Sequence, residues 1–367
     1  MIRKDKKRDI IIWAIVLAAV VVFVIATDLW MSAYARRILM LGAIYCIMAV
    51  GLNITFGMGG IFSLGHCGFM AIGCYVAIVL TLSPEAKQKN WYVSPIAPFL
   101  EDVSLPFGIS LIISCIVVAL FAILIGYALL RLRSDYLGMA TLCLGEIIRV
   151  VINNQVSLFN GSLGLKYFPE IINPYLCFGL VAVCVIFAVR LKQTSYGYAI
   201  KAAKDDDIAA EACGIKITWH RVFAFTIGAI MAGIGGVLLG LWNATVSPKM
   251  FTSTQTYTIV LIVVAGGLGN ITGTVIASFG VAIIMEWLRF VEEPMMIFGW
   301  QYPGISGMRM LFFAVSLLFI IMKFKNGLFG SWEFTPSVFY TKPKFISKLQ
   351  SRRARKQEQK EDKNEGC

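Results

Sequence analysis

The chain has 367 residues, of which 58% are hydrophobic and 15% charged. Soluble globular domains carry about 25% charged residues, so an ordinary soluble enzyme is excluded. The formal net charge of +12 would suit nucleic acid, but the basic residues gather in MIRKDKKRD at the start and after Met322 at the end. Lysine and arginine there orient a chain at the cytoplasmic face of a membrane, so the partner expected is membrane lipid and no nucleic acid.

Apolar runs of the length that crosses ~30 Å of hydrocarbon recur from Ile10 to Met322. In order they are Ile10–Ala26, Ile38–Ile54, His66–Leu82, Phe107–Leu130, Tyr136–Ile152, Pro174–Leu191, Val222–Leu241, Tyr257–Ala265, Thr274–Leu288 and Met308–Met322. They predict an all-α, polytopic integral membrane helical bundle of about ten transmembrane helices, with Gly-interrupted segments in both halves. The first run lacks a small-x-small cleavage site and reads as a retained span. An even number of spans places both termini, Arg131–Asp135 and the Lys192–Arg221 loop in the cytoplasm. The domains expected are therefore a basic N-terminus (1–9), the transmembrane domain (10–330) and a charged tail (331–367) too poor in apolar residues to fold alone. Nine scattered cysteines without a CxxC pair predict neither a disulfide framework nor a metal site.

Two segments break the pattern of a lipid-facing helix. Gly51–Gly73 carries seven glycines with Asn53, Thr55, Ser63 and His66. The second break falls at Gly266, Gly267, Gly269 and Gly273, beside Asn270 and Thr272. Backbone released from a helix at membrane depth must be buried in protein or line a cavity, because lipid offers its N–H and C=O groups no partner. Gly-interrupted segments in corresponding halves point to a translocation path, whereas small residues also serve close helix packing. The pathway residues expected are Asn53, Gly59, Gly60, Ser63, Gly65, His66, Glu146, Asn153, Gly266, Gly267 and Gly269. His66, lone among small residues, reads first as a hydrogen-bonded structural histidine.

Glu146 with Arg149, and Glu286 with Arg289, lie three residues apart on a helix face and read as structural ion pairs before proton coupling; Arg309 opens the last span. No Ser/His/Asp set, HExxH, paired Cys/His ligands or phosphate-binding loop with lysine occurs. The chain is expected to be no enzyme and to need no metal or cofactor.

The loop 194–221 contains Lys204-Asp205-Asp206-Asp207-Ile208-Ala209-Ala210-Glu211-Ala212-Cys213-Gly214. Acidic residues, then helix formers, then glycine predict a short helix with favourable N-terminal charge and a glycine stop. Such a helix is too short to stand alone and packs on its own protein or on a cytoplasmic partner.

Ala209–Gly214 resembles the EAA loop of ABC importer permeases, a helix that sits in a groove on the ATPase. Four ordered segments resemble the LivM-type permeases of branched-chain amino acid ABC importers: GLNITFGMGGIFSLGHCGFMAIGCY, LRLRSDYLGMATLCLGEIIRVVINN with NGSLGL, SYGYAIKAAKDDDIAAEACGIKITWHRVFAF and VVAGGLGNITGTVIAS. With GMRMLFFAVSLLFIIMKFKNGLFG they cover most of 38–330. The resemblance implies a bacterial cytoplasmic-membrane permease with two ABC ATPase subunits, a second LivH-like permease subunit and an extracytoplasmic solute-binding protein. It implies ATPase coupling through Lys204, Asp205, Asp206, Asp207, Ile208, Ala209, Ala210, Glu211 and Gly214. Related permeases carry urea, amides or other small solutes. An ion-coupled secondary transporter using Glu146, Arg149 or Glu286 is the alternative from another class.

Overall fold

A computed structural model of the chain describes Thr27 and residues 31–328, apart from 94, 133, 169–170, 293–294, 298–299, 303–306 and 324–326. These belong to one compact unit, 24–332. The expected first span, the basic N-terminus and the charged tail lie outside the described residues, as does the side chain of Arg309.

Almost every element is helical. In chain order they are α1 (Ala33–Leu52), α2 (His66–Thr81), α3 (Pro84–Asn90), α4 (Phe107–Leu129), α5 (Ser134–Asn154) and α6 (Pro174–Lys192). There follow α7 (Ser195–Asp205), α8 (Asp207–Ala212), α9 (Ile217–Asn243), α10 (Ser253–Gly266), α11 (Ile271–Trp287) and α12 (Met308–Lys323). A small hairpin, β1 (Met295–Ile297) and β2 (Trp300–Tyr302), pairs Met295 with Tyr302. Among the described residues five helices are long and apolar enough to cross a membrane: α1 with the turn that extends it to Met58, α4, α5, α6 and α9. The chain is an all-α polytopic membrane bundle. α2 and α11 are apolar but shorter; the 16 residues of α2 reach only ~24 Å at ~1.5 Å per residue, because the first glycine-rich break takes up the chain ahead of it.

The second half of α1 and most of α9 are buried on every side and form the centre. α2 crosses α9 closely enough that a Cβ on Gly73 would lie 2.6 Å from the Gly233 Cα, so these glycines set the helix spacing. α4 is apolar all round, yet only Ser110, Ser114, Val118, Ala122 and Gly126 are buried, one every fourth residue. Ser114 Oγ donates to the Gly73 carbonyl at 2.7 Å. The opposite stripe, Ile112, Ile116, Leu120 and Leu124, is exposed. Small residues thus face protein and large aliphatic ones face outward, the arrangement that packing without a hydrophobic driving force favours.

Candidate functional site

The first break begins as a widened turn. Gly59 N donates to Ile54 O at 3.0 Å and Ile61 N to Thr55 O at 3.1 Å, after which residues 59–65 leave helix altogether and α2 starts at His66. The second break separates α10 from α11: Gly267 and Gly269 take φ of 103° and 80°, a region side chains other than glycine's resist, and Asn270 caps α11 by accepting from Gly273 N at 2.9 Å.

Asn53 joins the two breaks. Its Nδ2 donates to Asn270 O at 3.0 Å and Thr274 Oγ1 at 2.7 Å, and its Oδ1 accepts from Gly269 N at 2.7 Å. Gly57 makes the approach possible, since a Cβ there would run into both the Asn53 side chain and Gly269 N. The carbonyls freed by the breaks are met by lysines from the neighbouring loop. Lys204 Nζ donates to Gly57 O at 2.8 Å, and Lys192 Nζ donates to Gly269 O at 2.6 Å. An ammonium on a flexible stem can follow a carbonyl that moves, which a rigid helical partner cannot.

The loop itself corrects the expected single helix over Lys204–Gly214. Asp206 is extended, at φ −153° and ψ 110°, and splits the segment. Lys204 and Asp205 end α7, while Asp206 Oδ1 caps α8 by accepting from Ala209 N at 3.0 Å. The local preference of aspartate for a cap outweighs helix continuation here. Gly214 stands at φ 81° just beyond α8. Asp207 receives both its hydrogen bonds from Arg221 Nη2, at 2.6 and 2.9 Å, which fastens α8 to the first turn of α9. Ala210 is buried under α8, whereas Asp205, Ala209, Glu211 and, at 83%, Ile208 are exposed. Ile208 and Glu211 thus lie on the outward face of this short helix.

The remaining expected pathway residues are distributed differently. Gly59 and Gly60 border Thr55 O and the Lys204 stem, and Gly65 abuts Thr141 O. Ser63 and His66 are buried, and Ser63 Oγ and both ring nitrogens of His66 have no partner among the described residues. The hydrogen bonds expected of a structural histidine thus do not come from the described protein groups. Glu146 pairs with Arg149 at 2.7 Å, as its spacing predicts, and also accepts from Ser253 Oγ at 2.6 Å; it joins α5 to α10 rather than entering either break. Asn153 is half-buried and bonds to neither break. Gly266 packs against Thr274 and Gly273. Sequence reasoning missed Lys192 and Arg221, which read there as generic positive charge near span ends.

Among the described residues no group of three His, Cys, Asp or Glu side chains is placed to hold a metal ion. Residues 34–322 match the family described as branched-chain amino acid transport system, permease component. The chain is similar to the high-affinity branched-chain amino acid transport system permease protein LivM of Escherichia coli K12, 29% identical across 85% of this chain and 77% of that protein. LivM of Salmonella typhimurium is also 29% identical, across 77% of this chain and 70% of its own length. The xylose transport system permease protein XylH of Haemophilus influenzae is 23% identical across 45% of this chain and 42% of its own. No solved structure gives a significant match. A helical membrane bundle, two joined glycine breaks and a family match over most of its length together define the chain: it belongs to the family of permease components of branched-chain amino acid transport systems.

Proposed function

We propose that the chain is a permease subunit of an ATP-binding-cassette importer for hydrophobic, branched-chain amino acids. It acts with two ABC ATPase subunits docked on the 194–221 loop, a second, LivH-like permease subunit and an extracytoplasmic solute-binding protein. Its place is the cytoplasmic membrane of a bacterium, with about ten spans and both termini in the cytoplasm.

The observation that carries this reading is the continuous set of contacts from the exposed face of α8 to the two breaks. A push on α8 reaches α9 through Asp207 and Arg221; Arg221 Nη2 also donates to Ala203 O on α7 at 3.3 Å, and α7 reaches the first break through Lys204 and Gly57. Lys192 connects the end of α6 to the second break, and Asn53 obliges the breaks to shift together. A chain without nucleotide-binding motifs gains a power stroke only by such mechanical contact, and two discrete arrangements of packed helices convert it into alternating access. The branched-chain solute is supported by the names of the LivM relatives.

The test is purification from the native membrane in mild detergent, identification of what remains bound, and reconstitution with the cognate binding protein. Two ATPases, a second permease and ATP-dependent leucine uptake are expected. A stable chain that comes away alone and whose transport follows an ion gradient would overturn the proposal.

A further inference from the structure

At the end of the bundle opposite the α7–α8 loop, the last turns of α9 and α11 and the start of α10 border, with α1, an open cleft of about 470 Å³. That volume lies within the range of small-molecule sites, ~300–1,000 Å³. Leu41, Leu239, Trp242 and Met250 form its apolar wall, and Gln255, Glu286 and Arg289 its polar one. None of the pathway residues expected from the sequence lines it.

The polar groups are incompletely used. Glu286 Oε1 accepts from Tyr34 OH and from Arg289 Nη1, each at 3.1 Å, while Oε2 accepts from no described residue. The Glu286 side chain keeps 15% of its surface exposed, so the open oxygen is accessible to a ligand. Gln255 Nε2 is buried and donates to no described residue. A buried amide N–H lacking an acceptor is costly unless something completes it, and the open carboxylate oxygen lines the same cleft.

We infer that this cleft is a binding site for a zwitterionic amino acid with an apolar side chain. Its ammonium meets Glu286, its carboxylate meets Gln255 and the Arg289 guanidinium, and its side chain lies against Leu41, Trp242 and Met250. The chemistry excludes the obvious competitors. A sugar would leave the apolar wall and the charged groups uncompensated, and a metal ion would find one carboxylate beside a repelling guanidinium. In an importer this end of the bundle faces the binding protein, so the site receives solute before the breaks open. This inference rests on the importer reading above and names the solute contact within it.

The experiment photolabels the full transporter complex in nanodiscs with a diazirine analogue of leucine and maps the modified peptides, beside ATP-driven leucine uptake by the same preparation. Labelling within 239–255 and around 286–289 is expected, competed by unlabelled valine and not by xylose. Glu286→Gln and Gln255→Leu are expected to reduce it about tenfold, with a thermal transition matching the wild type. Leucine uptake with labelling elsewhere, or with labelling unchanged in folded Glu286→Gln, overturns the site and leaves the importer intact. Absence of leucine uptake by the assembled wild-type complex overturns the importer reading for this solute and the inference with it.

Discussion

Asn53 shows how one side chain holds a membrane protein's irregular backbone. Its amide has both donors and acceptor matched, to Asn270 O, Thr274 Oγ1 and Gly269 N. Interhelical hydrogen bonds in membranes average ~0.6 kcal/mol, while a buried N–H left without a partner costs about 1–3 kcal/mol. Asn53→Leu removes all three bonds and orphans Gly269 N–H, so a loss of about 2–3 kcal/mol is expected, read as a clear fall in the thermal transition in detergent. An unchanged transition would show that the breaks hold together without it. Lys87 is a second case. It is buried, its Nζ donates to Leu100 O and Val103 O, and burial pushes its ammonium below the ordinary lysine range while Asp102 acts the other way. Nothing in PEAKQKN distinguishes it from Lys89, because the carbonyls it meets come from a segment that folds back only in three dimensions.

At the scale of elements, hydrogen bonds join the loop and the two breaks. Glycine content revealed each break, but not that the two touch. The acidic run revealed a helix start, but not that Asp206 divides α7 from α8. The split places Lys204 and Glu211 on different helices: the Lys204 Nζ donates to Gly57 O from α7, and the Glu211 carboxylate lies exposed on α8. Two substitutions therefore separate them. Glu211→Lys is expected to weaken ATPase association measured by co-purification. Lys204→Met is expected to leave association intact while reducing uptake per ATP hydrolysed several-fold. Equal loss of association in both would place Lys204 in the docking surface instead. Full coupling in Lys204→Met would remove its contact with Gly57 from the transmission route.

For the whole molecule, α4 turns an aliphatic stripe outward while α1 and α9 are buried, the arrangement a helical bundle needs in lipid. Orientation follows from charge: the α7–α8 loop is expected in the cytoplasm. Cys213 is exposed in that loop and reports on it. In a variant retaining Cys213 as its single cysteine, a membrane-impermeant maleimide is expected to label inverted vesicles and spare intact spheroplasts. The reverse pattern would invert the topology and make the cleft at Glu286 cytoplasmic.

Composition alone determined that this is a helical membrane protein, since runs of apolar residues long enough to cross hydrocarbon have no other stable solution. The spacing of Glu146 and Arg149 likewise determined their pairing, because residues three apart on a helix are neighbours whatever surrounds them. The lipid-facing side of α4 was hidden, as a helix apolar all round has no periodic signal to read. Only the tertiary structure decided that Asn53 joins residues more than two hundred positions away, that Lys192 and Lys204 satisfy carbonyls in different breaks, and that Glu286 borders a cleft. Each depends on backbone groups freed from helices, and what meets a freed carbonyl is set by which helix end packs beside it, a long-range fact that no local pattern encodes.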